Sequence, residues 1–264
     1  MKVNKKISFS VPIPAFRHRM GKENWRRGGF FMEHTDHTAP QSIEVLWQED
    51  TRILTLEGEP VLEYHVSWPE LRGTGRSGTK INRYYRRLIK SWRQRWEREV
   101  YWKACLNLAT LRANSHPFVS WKGSLRGEVT LFTEHLLSIR MTGQEIRGNR
   151  PPNQVRWGDV WDIQEGAPYP IHALYCSCHR WKQKLISQLK KLAADQQASA
   201  SRFLLPGWEH GLQTFFPKED YCLTAQGIEI AYPQGSISPM AEGTPVFQLP
   251  LSCASETQKI PPKK

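Results

Sequence analysis

Two clusters in the chain have residue types that bind metals: His34-Thr35-Asp36-His37 and Cys176-Ser177-Cys178-His179. Zinc needs four side chains converging at about 2.0–2.3 Å, usually as two cysteine or histidine pairs two to four residues apart. The second pair is missing here. A helix also turns about 100° per residue, so Cys176 and Cys178 would diverge on one. Cys178 instead suits a buried face, where a free thiol behaves as a small hydrophobe. The expectation is therefore no metal and no cofactor. Arg72-Gly73-Thr74-Gly75-Arg76-Ser77-Gly78 is glycine-spaced but is neither a Walker A loop nor a dinucleotide fingerprint. It reads as a flexible loop into the helix that follows. No Gly-x-Ser-x-Gly elbow or His-Glu-x-x-His pair occurs. His65 reads as a surface or half-buried strand residue. Asp159 and Asp162, on either side of Trp161, read as a helix cap beside a packing tryptophan. No catalytic residue is assigned, and the chain is not expected to be an enzyme.

The other chemistry is cationic. The chain has 264 residues and a formal net charge of +12. Between residues 80 and 112 there are ten Lys/Arg against two Asp/Glu, and residues 1–40 hold eight against three. Arg83, Arg87, Lys90 and Arg98 fall on one side of a helical pattern and are the candidate anion or partner-binding residues. Such a stripe neutralises phosphates, and Tyr84 and Trp102 nearby could stack on bases. A nucleic-acid-associated basic protein is therefore the alternative function. The five cysteines, an odd number, match no disulfide framework. Eleven tryptophans and 11% aromatic residues exclude global disorder. No apolar run approaches the ~18 residues of a membrane span, and none suits a secretory signal, so a cytoplasmic location is expected.

These residues need elements to position them. Residues 1–40, basic and rich in Gly, Pro and His, read as a flexible arm. Period-two alternation at Ile43–Trp47, Ile53–Leu56 and Val61–Trp68, with turns at Gln48-Glu49-Asp50 and Glu57–Pro60, predicts an antiparallel meander. Ile81, Tyr85, Leu88, Trp92, Trp96 and Val100 recur at steps of three or four. They predict an amphipathic helix from an N-cap at Thr79 to about Leu111. Strands follow at Val119–Trp121, Leu125–Thr133 and Leu136–Met141, then a loop over Gln144–Asn153. A second amphipathic helix is predicted from Pro170 to Gln196. Short strands are predicted at Tyr221–Thr224, Ile228–Tyr232 and Val246–Leu251. The fold class is α+β, two long amphipathic helices packed on antiparallel sheet. One domain over 41–252 is expected, in halves 41–145 and 146–252, with a tail at 253–264.

Several segments resemble a known family. They are Phe215-Phe216-Pro217, Tyr221 to Ile228, Ile230-Ala231-Tyr232 and Ile237 to Gly243, together with Val66 to Leu71 and Lys80-Ile81-Asn82. They are similar to a bacterial domain of unassigned function. That domain is found at the C-terminus of RsiV-type anti-sigma factors and beside the catalytic domain of PdaC-type peptidoglycan deacetylases. The resemblance covers about residues 60–252. It implies an RsiV C-terminal-like fold, with scaffold roles for Asn82, Tyr232, Pro239 and Gly243. In RsiV-type proteins the module senses by binding lysozyme and does no chemistry. The implied function is thus a non-catalytic binding or sensing module, with a protein or envelope-derived molecule as ligand.

Overall fold

Glu57 and Gly58 both have positive φ (52° and 84°). This is the left-handed pair that a two-residue hairpin requires. They join strand β1 (Glu44–Leu56) to its antiparallel partner β2 (Glu59–Arg72) in the computed structural model of the chain. Residues 43–175 and 179–250 are described. The expected arm over 1–40 and the tail over 253–264 lie outside them, as do His34, Asp36, His37, Cys176 and Cys178. The turn predicted at Gln48-Glu49-Asp50 does not exist; these residues continue β1. An edge strand tolerates polar residues, and Asp50 is held at 2.6 Å by Arg93.

From Arg72 the chain enters one long helical rod. It comprises α1 (Gly75–Gln94), a π turn (Arg95–Val100) and α2 (Tyr101–Ala113). The predicted loop over Gly73–Gly78 is corrected: the rod starts at Gly75 after Thr74, and Thr79 lies within it, its hydroxyl donating to Gly75 O. The π turn has a geometric role. Trp92, Trp96, Val100, Ala104 and Leu108 are all buried. Five residues at steps of four would drift about 40° per step around a straight α-helix. The extra residue in the π turn takes back about 100° of the accumulated drift and keeps all five against the sheet.

The rod rises about 1.5 Å per residue, long enough to carry the chain back along β2. Strand β3 (Trp121–Phe132) therefore pairs parallel to β2, from Leu62↔Trp121 to Val66↔Leu125. Antiparallel strands β4 (Leu136–Ile146), β5 (Asn153–Asp162) and β6 (Ala167–Pro168) complete a six-stranded sheet in the order β1-β2-β3-β4-β5-β6. The fold is α+β, but this sheet is mixed rather than antiparallel. The second helix also differs from expectation. Pro170 starts a 3-10 turn over Ile171–Tyr175, and α3 runs Trp181–Ala198, followed by the short α4 (Trp208–Thr214). Strands β7 (Tyr221–Thr224), β8 (Gly227–Ala231) and β9 (Val246–Leu249) form a three-stranded antiparallel sheet close to the predicted positions.

Two cores result. The first lies between the rod and the inner face of the six-stranded sheet, where Trp92 stacks on Trp157 at 6.4 Å between ring centroids. The second joins α3, α4 and the small sheet to the other face of the large one, through Val160 on β5.

Candidate functional site: buried carboxylates and an open sheet face

Strand parity places three carboxylates inside the protein. Glu145 on β4 is 2% exposed and faces the rod. It accepts from Arg95 Nε at 2.9 Å and Nη2 at 3.2 Å, from Arg147 Nη2 at 3.1 Å and from Trp96 Nε1 at 3.2 Å. Glu229 on β8, 6% exposed, bridges the two sheets. Arg140 of β4 grips it with two nitrogens at 3.0 and 2.7 Å, and Arg156 of β5 with two more at 3.1 and 2.7 Å. Asp159 is 5% exposed and accepts from the Tyr84 and Tyr85 hydroxyls at 3.3 and 3.2 Å. The Tyr85 oxygen in turn accepts from Trp161 Nε1 at 3.0 Å. The helix-cap reading of Asp159 is thus corrected: it sits mid-strand in β5, on the rod side. Asp162 does act as a local cap, accepting from the backbone N–H of Gln164 and Glu165. In each cluster, donors already fill the carboxylate, an arrangement suited to holding layers in register.

Cys222 lies at the same sheet junction, with its thiol directed at Ile139 O. Burial, and then the charge of Glu229, push this thiol up to about 12. The neutral thiol is favoured in the folded state. Its contribution to stability is therefore whole below about pH 8.5, the range of an ordinary cysteine, and declines as pH rises toward 12. Iodoacetamide at about pH 8.5 is expected to leave Cys222 unmodified in the native chain and to alkylate it in denaturant, read by peptide mass spectrometry. Native-state alkylation faster than global unfolding would contradict this burial.

The outer face of the large sheet is only partly covered. The small sheet sits over β4 and β5, with Leu223 N donating to Ser138 Oγ at 2.8 Å. Beside it, Glu63 and His65 of β2, Lys122, Ser124 and Arg126 of β3 and Gln144 of β4 line a groove of about 230 Å³. His65 lies 2.9 Å from Thr51 Oγ1. The groove presents both signs of charge to solvent. Lys122, Ser124, Arg126 and Gln144 were not singled out by the sequence. The parallel pairing that brings β3 beside β2 spans more than fifty residues of chain, and no local period signals it.

Arg83, Arg87, Lys90 and Arg98 are all exposed, on α1 and the π turn, away from the sheet and outside this groove. Asn82 extends the edge of β2: its Nδ2 donates to Leu71 O at 2.9 Å and its Oδ1 accepts from Leu71 N at 2.8 Å. Tyr232 is buried, its hydroxyl donating to Leu212 O at 2.9 Å. Pro239 opens the 3-10 turn Met240–Glu242, and Gly243 closes it with φ 72°. Among the described residues, no group of three or more His, Cys, Asp and Glu is placed to hold a metal. No helix among them is long and apolar enough to cross a membrane.

Comparison with known proteins bears on the fold. Among solved structures, a DUF3298 family member from Bacteroides fragilis superposes with a TM-score of 0.58 at 15% identity, covering 80% of this chain and 91% of that one. A DUF3298 family protein from Pseudomonas aeruginosa gives 0.45 at 14% identity, covering 81% and 92%. No curated protein matches the sequence. Residues 179–252, which span α3, α4 and the whole small sheet, match the family model described as "Protein of unknown function (DUF3298)".

Proposed function

We propose that the chain is a non-catalytic binding or sensing module of the RsiV C-terminal type, and that its ligand, a protein or an envelope-derived molecule, meets the open face of the large sheet. The groove on that face carries the reading. It has Glu63 on one strand and Lys122 and Arg126 on the next, with the small hydroxyl of Ser124 between them. Such a surface offers donors and acceptors of both charges on a rigid backbone. The buried carboxylates support the same reading, since the donors around Glu145, Glu229 and Asp159 occupy the positions from which a general base would act.

The test is an amide-resolved NMR titration of the full chain with soluble peptidoglycan fragments and, separately, with lysozyme. One of the two probes is expected to shift the amides of Lys122, Ser124 and Arg126. The Lys122→Glu/Arg126→Glu variant should weaken that binding at least about tenfold, the scale of two lost charged contacts. Neither probe shifting these amides, or shifts gathered on another surface, would overturn the proposal.

A further inference from the structure

The outward ridge of the rod carries a second pattern. Trp92, Trp96, Val100 and Ala104 are buried against the sheet. Two residues after each of them come Gln94, Arg98, Trp102 and Leu106, all exposed. Two residues correspond to about 200° of turn, so this second series lies opposite the first along one continuous line. Toward the start of the rod the line continues through Lys90, Arg87 and Arg83, and toward its end through Ala109 and Ala113. The first half is cationic and the second half apolar. Trp102 is 65% exposed and Leu106 66%, large values for side chains of this kind. Tyr101 lies edge-on to Trp102 at 6.1 Å. The rod's own carboxylates do not neutralise the ridge: Glu97 is engaged by Tyr64 and Arg52, and Glu99 by Arg95 and Lys103.

We propose that this ridge docks the protein on an anionic lipid surface, with Arg83, Lys90 and Arg98 over the headgroups and Trp102 and Leu106 at the boundary of the acyl region. A bilayer surface offers both chemistries along one line, negative charge and a shallow apolar layer suited to tryptophan. Nucleic acid would satisfy the cations but offers little to Leu106, Ala109 and Ala113. A second copy of the chain fits poorly as well. Parallel ridges would oppose like charges, and antiparallel ridges would press the cations of one copy onto the apolar half of the other.

Sedimentation of the full chain with phosphatidylcholine vesicles, with and without about 30% phosphatidylglycerol, tests the proposal. Binding is expected only to the anionic vesicles. Because Trp102 and Leu106 are exposed, the Trp102→Ala/Leu106→Ala variant should keep its circular dichroism spectrum and bind those vesicles at least about tenfold more weakly. Arg83→Glu/Lys90→Glu should abolish the binding. Residues 1–42 are unchanged in every variant, so the differences report on the ridge. Three results would overturn the proposal. One is vesicle binding that the Trp102→Ala/Leu106→Ala variant retains. Another is binding to duplex DNA without binding to vesicles. The third is a dimer, abolished by the same double variant, that leaves vesicles alone.

Discussion

Replacing Glu145 with alanine is expected to lower the unfolding free energy by about 3–5 kcal/mol, as removing one partner of a buried ionic cluster does. Whole domains are stable by only about 5–15 kcal/mol, so this one change consumes a large share. The expectation follows from what is left behind. Arg95 and Arg147 are both mostly buried, and Arg147 lies over the Trp121 ring at 5.5 Å. Neither guanidinium can swing freely into water, and the Trp96 indole N–H loses its acceptor too. Arg95 keeps its pair with Glu99 at 3.0 Å, whereas Glu145 is the carboxylate that Arg147 pairs with among the described residues, so Arg147→Met/Glu145→Met should recover part of the stability lost in Glu145→Ala. A surface control, Arg52→Ala, removes exposed pairs with Asp50 and Glu97 and should cost less than about 1 kcal/mol. Urea midpoints with their slopes give all of these values. A Glu145→Ala loss as small as that of Arg52→Ala would show that the cluster does not hold the rod to the sheet.

The rod's buried face was readable from the sequence because Ile81, Tyr85, Trp92, Trp96 and Val100 keep a helical period, and a helix's contacts are set by its own spacing. What the spacing could not show was the π turn, which only the continued burial of Ala104 and Leu108 makes necessary. The parallel pairing of β2 with β3 was hidden for a different reason. Strand alternation has the same period in parallel and antiparallel sheets, and the direction of β3 is fixed by the length of the rod before it. β5 carries no alternation in its sequence because Trp157 to Trp161 are all buried. With the rod on one face and the small sheet on the other, no polar alternation marks it. Glu145 is the instructive omission among the site residues. It follows Met141 and Gly143 on the inward parity of β4, so an acidic residue at an inward position is a signal in the sequence. Reading Gln144–Asn153 as a loop discarded that parity. In the C-terminal sheet, by contrast, each strand is a short run whose large residues are mostly apolar, and β7 and β8 are joined by the tight turn Ala225-Gln226, so local rules suffice to place the strands.

The joint between the two sheets carries the other large effect. Gly158→Ala is expected to destabilise the chain by about 3 kcal/mol or more, the upper end of overpacking costs. A Cβ at this position of β5 would run into the carbonyl of Tyr221 and the sulfur of Cys222 on β7. A flexible side chain could move aside, but a strand backbone cannot. That backbone is also fastened from both sides, by Leu223 N donating to Ser138 and by Glu229 between Arg140 and Arg156. The small sheet must therefore lift away as a body, and lifting it uncovers Val160 and weakens the grip on Glu229. The rod, bound to the opposite face, is not touched by the added methyl. Two readouts separate this from a general loss of stability. Cys222 should become open to iodoacetamide under native conditions, and hydrogen exchange should speed up in β7 and β8 while the amides around Trp92 and Trp96 stay protected. Gly58→Ala serves as the control. Its Cβ meets nothing within 4 Å, so the change costs only the strain of a side chain at φ +84°, about 1–2 kcal/mol, and leaves Cys222 closed. A Gly158→Ala chain with native stability and a shielded Cys222 would mean that the sheets are not packed backbone to backbone at this point.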